Sequence, residues 1–277
     1  MYHSISRLPS ENETPYDNVS PELFKAHMRI LRSSGFHTLK LQHLLEKIQT
    51  GHDVPPKSVV ITFDDGYKNN YLYAFPVLRE LGFSAAFFLI AGAIGQQKPF
   101  EHLLWDGPAR AHFQMYPESR LPLDWKEVRE LEDCGMEIGS HGLTHRSLGH
   151  LNIASARGEI IQSKKVLEKE LSNKVRHFSY PFGSRAYGDY DVHTRHILMD
   201  AGYLSACTTE IGPVLSGDST YELKRIPIRE TDTPTHFRQK IEGAFDWVQQ
   251  CKSQFQKRVK RIDQVMWQPV ESGRGEK

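Results

Sequence analysis

Short apolar runs of β-forming residues alternate with amphipathic helical stretches along most of this 277-residue chain. That alternation narrows the available folds more than any other feature. The clearest run is 58–63, Ser-Val-Val-Ile-Thr-Phe, which stops at Asp64-Asp65-Gly66. A run this apolar fits a strand buried on both faces. Further runs lie at 2–5, 36–39, 85–91, 136–139, 175–180, 204–208 and 223–228. Between them the spacing predicts helices. The first follows Ser20 as N-cap and Pro21 at the first helical position, and it ends at Gly35. Its Leu23, His27, Ile30, Leu31 and Ser34 are expected to share one face. Others are expected at 41–48, 69–81 (closed by Gly82), after the Asp124 cap as far as Gly135, and at 153–171, 191–201 and 235–251. Strands interleaved with helices imply a parallel sheet, open or closed into a barrel. In a parallel barrel the strand C-termini share one mouth, where active sites form.

The composition, 39% hydrophobic and 25% charged, supports one globular domain with a real core, here set at 1–251. Residues 95–121 break the rhythm with Gly, Pro, Trp105 and Phe113, and read as an insertion over one end of the fold, either a substrate-rim loop or a surface excursion. Residues 252–277 read as a basic tail. Its 252–261 stretch holds five basic residues and no acid, which suits a solvated tail or weak contact with an anionic membrane surface. A net charge of +1 gives no long-range field to draw nucleic acid. The first residues lack a run of signal-peptide length, and the longest apolar run, 85–94, falls short of a bilayer span, so a cytoplasmic location is expected. Cys134, Cys207 and Cys251 form no CxxC pair and read as free thiols.

Three segments carry chemistry. Thr62-Phe63-Asp64-Asp65-Gly66 ends a strand on two adjacent carboxylates. Successive strand side chains point opposite ways, so a turn must start here if both are to reach one site; Gly66 permits one. Ser140-His141-Gly142-Leu143-Thr144-His145 places two histidines four apart, on one face if the segment is a helical turn. Phe178-Ser179-Tyr180-Pro181-Phe182-Gly183 ends a strand in a turn that could present a backbone N–H to a developing oxyanion. A carboxylate and two histidines make a facial ligand set with open positions for water and substrate, and the second carboxylate beside it is then available as a base.

These three segments, in this order, resemble the polysaccharide deacetylase family (NodB-type, carbohydrate esterase family four) across roughly residues 58–210. The resemblance implies a distorted (β/α) barrel of about seven parallel strands. It implies Asp65, His141 and His145 as ligands of one divalent metal, Asp64 as general base, and the Phe182 N–H as oxyanion donor with Tyr180 beside it at the substrate. Zinc suits this set, and cobalt, nickel or iron could occupy it. Two departures stand out. The family's usual third motif, Arg-Pro-Pro-Tyr-Gly, is here Ser179-Tyr180-Pro181-Phe182-Gly183, so the arginine that tethers the base is missing. The late Leu-x-Ile-x-x-His segment is matched by Leu223-Lys224-Arg225-Ile226-Pro227-Ile228-Arg229, without a histidine. Tyr2-His3-Ser4-Ile5 resembles the N-terminal segment of the permuted poly-N-acetylglucosamine deacetylases, in which an early histidine is the acid, and this assigns the role to His3. The implied reaction is hydrolysis of an N-acetyl group on an amino sugar, in a polysaccharide or a glycan precursor. Alternatives are a deformylase of a lipid- or nucleotide-linked formamido sugar, and a non-catalytic carbohydrate-binding protein on the same fold.

Overall fold

A computed structural model describes residues 1–7, 18–98, 100, 121–215 and 217–243. Residues 1–238 form one compact unit; of the second, 239–277, only 239–243 are described. The first unit is built on six parallel strands: β5 (Ile61–Phe63), β6 (Ala85–Leu89), β7 (Glu137–Ser140), β8 (His177–Ser179), β9 (Ser205–Ile211) and β10 (Leu223–Arg225). Their spatial order is their chain order, reversed. Every crossover thus leads to the adjacent strand, as in a (β/α) barrel. The N-terminal segment bridges the two edges. Tyr2 N–H donates to Thr62 O (2.8 Å) and Asp64 N–H to Tyr2 O (3.1 Å), while on the other side Ile228 N–H donates to Met1 O (3.0 Å). This curled sheet matches the expected barrel class, with Met1–Tyr2 taking the seventh strand position.

Two small parallel pairs complete the sheet structure: β1 (Ser4–Ile5) with β2 (Asn18–Val19), and β3 (His37–Thr38) with β4 (Ser58–Val59). The apolar run at 58–63 is therefore two strands. Its first half pairs with β3 and its second half, from Ile61, with β6. All five residues of β6 are buried, which explains why that strand reads as a continuous apolar run. Phe63 stacks on Phe87 (centroids 4.8 Å apart) and Tyr2 on Phe63 (5.6 Å), so the bridging segment is packed into the core as well as hydrogen-bonded.

The helices are α1 (Pro21–Ser33), α2 (Leu41–Thr50), α3 (Phe75–Leu81), α4 (Trp125–Asp133), α5 (Ile153–Leu171), α6 (Val192–Asp200) and α7 (Pro234–Ile241). Asp124 caps α4 as expected, in a capping box with Glu127. Three helical expectations need correction. The buried face of α1 is Phe24, His27, Met28 and Leu31, because His27 and Phe24 pack on Tyr2 and Phe237, which turns Leu23 and Ile30 partly outward. Ser20 holds the N-cap position without capping; its N–H and Oγ instead donate to Glu230 (2.6 and 2.9 Å). The 69–81 helix opens with a wide turn at Asn70–Ala74 before α3 begins, since Pro76 has no N–H to continue the α ladder. Of the last helix, predicted at 235–251, the part from 244 onward lies outside the described residues, as do Cys251 and the 252–277 tail.

Residues 101–120 of the expected insertion, with Trp105 and Phe113, also lie outside the described residues. Its ends are placed: Lys68 N–H donates to Leu121 O, Leu123 N–H to Gly66 O, and Gly95 N–H to Leu123 O. The C-terminal end is thereby tied to the segment that follows the Asp64–Asp65 pair, and the N-terminal end to Leu123.

Candidate active site

The two carboxylates reach one site through backbone strain. Asp65 has φ 73° and Gly66 φ 85°, both in the left-handed region. For a non-glycine residue this is costly and persists only where the surroundings enforce it. A side chain at Gly66 would also meet Leu89 Cδ2 at 2.8 Å, so the position needs glycine twice over. The reversal sends Asp64 and Asp65, consecutive on the chain, to the same mouth.

His141 follows β7 directly, and its N–H is held by Leu89 O (2.8 Å). The His141–His145 segment is not the helical turn expected from the sequence. Gly142 (φ 80°) and His145 (φ 61°) bend it into an irregular loop. Glu159 on α5, buried, organises that loop by accepting from Leu143 N–H (2.9 Å), Thr144 N–H (2.9 Å) and Thr144 Oγ1 (2.5 Å). Gly142 O and Leu143 O accept from Ala91 and Gly92 N–H. The spacing of four therefore serves a clamped loop and not a helix face.

His141 Nδ1 lies 2.7 Å from Ser179 O. A carbonyl only accepts, so Nδ1 carries a proton, and Nε2 is the nitrogen that faces the carboxylates. That Nε2 faces Asp65 Oδ1 at 3.4 Å, and His145 Nε2 faces the same oxygen at 3.4 Å. Ligand atoms of Asp65, His141 and His145 all lie within 4.8 Å of one another, with side-chain exposures of 5%, 2% and 9%. A cation held among these three donor atoms would be met by all of them at once. Two imidazoles and one carboxylate thus fit a divalent metal of the zinc type.

Asp64 lies beside this set, with Oδ2 at 4.0 Å from His141 Nε2. Its orientation answers the question left by the missing arginine. Arg225, at the end of β10, grips Asp64 with two parallel bonds, Nη1 to Oδ1 and Nη2 to Oδ2, both 2.7 Å. Ser179 Oγ adds a third contact to Oδ2 at 3.1 Å and accepts from Arg225 Nη2 at 2.9 Å. Arg225 Nε donates to Thr208 O (2.8 Å), fixing the guanidinium plane. Burial alone would raise the Asp64 pKa, but the Arg225 charge, the nearby His141 and the Arg225 hydrogen bonds outweigh it and hold the carboxyl well below the usual range. The guanidinium is correspondingly pushed further up. The segment that lacks the family's late histidine thus carries an arginine that takes up Asp64. A basic residue at the end of the last strand is the available signal.

His3 follows the Tyr2 bridge directly, half-buried and near enough to Asp64 to contribute to lowering its pKa. Phe182 sits in the left-handed region (φ 61°), with its ring 54% exposed and 4.9 Å from the His145 ring. Its carbonyl accepts from Thr209 Oγ1 (2.6 Å), which pins the turn. Gly183 follows at φ 65°, where a Cβ would meet Thr209 N at 2.9 Å and Tyr180 O at 3.0 Å. Tyr180, expected at the substrate, is placed otherwise. Its ring is fully buried and stacks on Tyr190 (4.5 Å), and its hydroxyl donates to Tyr221 O (3.2 Å).

Comparison with known proteins identifies relatives of this chain. The sequence model of the polysaccharide deacetylase family matches residues 51–206. A Bacillus subtilis (strain 168) protein named for that family, YxkH, is 29% identical over 228 residues, 82% of this chain and 70% of its own length. A poly-beta-1,6-N-acetyl-D-glucosamine N-deacetylase of Staphylococcus aureus is 24% identical over 243 residues, 84% of this chain and 75% of its own length. Among solved structures, Streptococcus pyogenes deacetylase PplD in complex with acetate superposes with a TM-score of 0.71 at 23% identity, over 87% of this chain and 96% of that one, and so shares the fold. No helix among the described residues is long and apolar enough to cross a membrane. The match covers more than half of the chain and contains Asp64, Asp65, His141, His145 and Phe182: this chain belongs to the polysaccharide deacetylase family.

Proposed function

We propose that the chain is a metal-dependent hydrolase that removes the acetyl group from an N-acetylated amino sugar, in a polysaccharide or a glycan precursor. The observation that carries this reading is the meeting of Asp65, His141 and His145 around one point, with Asp64 held separately beside them. The S. aureus relative, named for deacetylation of poly-N-acetylglucosamine, supports an amino-sugar polymer as the substrate class.

Asp65, His141 and His145 would hold the metal, with zinc the best match to their nitrogen and oxygen donors. When bound, such a cation polarises an amide carbonyl and acidifies water. Asp64, kept ionised by Arg225, takes the proton of the attacking water, an effect worth about 10²–10⁴-fold. The Phe182 N–H donates to the developing oxyanion; one such donor is worth about 3–4 kcal/mol. An amide nitrogen leaves poorly as an anion, so His3 supplies the proton that releases it as an amine. The catalytic domain is taken as residues 1–251.

The test is an assay of metal-reconstituted protein against N-acetyl and N-formyl amino sugars, scoring the acid released. Acetate release supports the proposal, formate without acetate makes the chain a deformylase, and binding of sugar with release of neither makes it a binding protein.

A further inference from the structure

We infer that Asp189 is a positioning residue: it braces the loop of His145 against the loop of Phe182, and so sets where ligand and oxyanion donor stand relative to each other. The inference rests on the proposed roles of those two residues. Both of them are in the left-handed region, each at φ 61°, which a side chain adopts only where its surroundings enforce it. Their rings lie 4.9 Å apart. Two residues further along, the two loops meet one carboxylate. Ser147 Oγ donates to Asp189 Oδ1 (2.7 Å), and Ser184 N–H donates to Asp189 Oδ2 (3.0 Å). Each oxygen thus holds one loop, and the planar carboxylate fixes the separation of the two donors. Asp189 is buried. A carboxylate is tolerated there only where hydrogen bonds replace its water, and these two arms do so.

Backbone contacts align the same loops. Gly149 N–H donates to Asp189 O (2.8 Å), Asp189 N–H to Ser184 O (3.0 Å), and His150 Nε2 to Tyr187 O (2.8 Å). A Cβ at Gly149 would collide with Gly188 O, so this approach depends on glycine. On the His145 side these bonds act at residues 149 and 150, whereas the carboxylate acts at 147, nearer the ligand. On the Phe182 side the turn is already pinned by Thr209 Oγ1, and the Ser184 arm joins that fixed turn to the His145 loop. Loss of the brace would leave Asp65 and His141 in place, while His145 moves independently of Phe182.

The experiment compares wild type with Asp189→Ala, Asp189→Asn and Ser147→Ala. Zinc affinity is read by competition with a chelator, amide hydrogen exchange on metal-free protein, and kcat and KM by acetate release at saturating zinc. Asp189→Ala is expected to weaken zinc by about 10-fold or more and to lower kcat by about 10-fold or more, with KM within about threefold. Its Ser184 amide should exchange faster while the amides of β7 and β8 do not. Asp189→Asn can turn its oxygen to Ser184 N–H and its amide group to Ser147 Oγ, so it should stay within about threefold of wild type in every readout. Ser147→Ala cuts only the arm toward His145; it should weaken zinc and keep kcat within about threefold once zinc saturates. The brace is rejected if Asp189→Ala keeps both zinc affinity and kcat within about threefold of wild type, or if Asp189→Asn is as impaired as Asp189→Ala. Should Asp189→Ala fail to fold, unchanged zinc affinity in Ser147→Ala rejects it alone. Wild-type protein that binds zinc and releases no acetate rejects the proposed function instead; the zinc and exchange readouts still decide the brace.

Discussion

Asp64 and Arg225 are almost excluded from solvent, with side-chain exposures of 2% and 5%, and each is tolerable there only because of the other. Removing one partner of a buried pair leaves an uncompensated charge, at a cost of about 3–5 kcal/mol. Arg225→Ala is therefore expected to lower the unfolding free energy by about that amount in a urea titration, and adding Asp64→Asn should recover part of it. A double-variant loss equal to the sum of the two single losses would mean that the pair is not coupled. Asp64→Asn alone should keep bound metal and lose about 10²–10⁴-fold in turnover; retained turnover would remove Asp64 from the base role. At this scale Asp64, Asp65, His141 and His145 were legible because each pair sits within five residues directly after an apolar run. Arg225 was not, since its partner is 161 positions away and only closure of the sheet brings them together. Tyr180 was misplaced for a related reason: its neighbour Phe182 faces the mouth, but the side chains of a strand-to-turn segment diverge, and Tyr180 falls on the buried side.

Among the elements, the His141–His145 loop shows how a helix supports a strand-end motif. Glu159 sits at a buried position of α5 and spends its carboxylate on two backbone amides and the Thr144 hydroxyl, holding a loop whose His145 would not adopt φ 61° unaided. Partners that orient ligands in this way typically contribute 10–100-fold in metal affinity. Glu159→Ala should thus weaken metal binding by about 10-fold or more in a competition titration, with the three ligands untouched; unchanged affinity would show that the loop is set by its backbone bonds to Ala91 and Gly92. Helix starts marked by a capping aspartate, as at Asp124, were legible because cap and partner are three residues apart. The face of α1 was not, because the choice between Leu23/Ile30 and Phe24/Met28 is made by Tyr2 and Phe237, which arrive from other parts of the chain.

For the whole molecule, alternating periodicity was enough to give a parallel (β/α) sheet, while its closure depends on residues at the N-terminal edge that carry almost no pattern of their own. The buried centre also sets a pH response. Burial first, then the charges of Arg176 and Lys164, push the pKa of His177 on β8 down to about 4 from 6.5. The unfolded chain takes up this proton near pH 6.5 and the folded chain resists it, so the stability contributed is complete above 6.5 and erodes as the pH falls toward 4. The shift corresponds to about 3 kcal/mol in full. His177→Asn should flatten the acid side of the stability curve between those values, and a curve parallel to wild type would contradict the assignment. The central claim, that three residues from two strand ends hold one divalent cation, is tested most directly by elemental analysis of metal bound per chain after exhaustive dialysis, in wild type and in His141→Ala. One ion per wild-type chain, lost in the variant, is the expected result. Equal metal content in the two proteins would contradict the account.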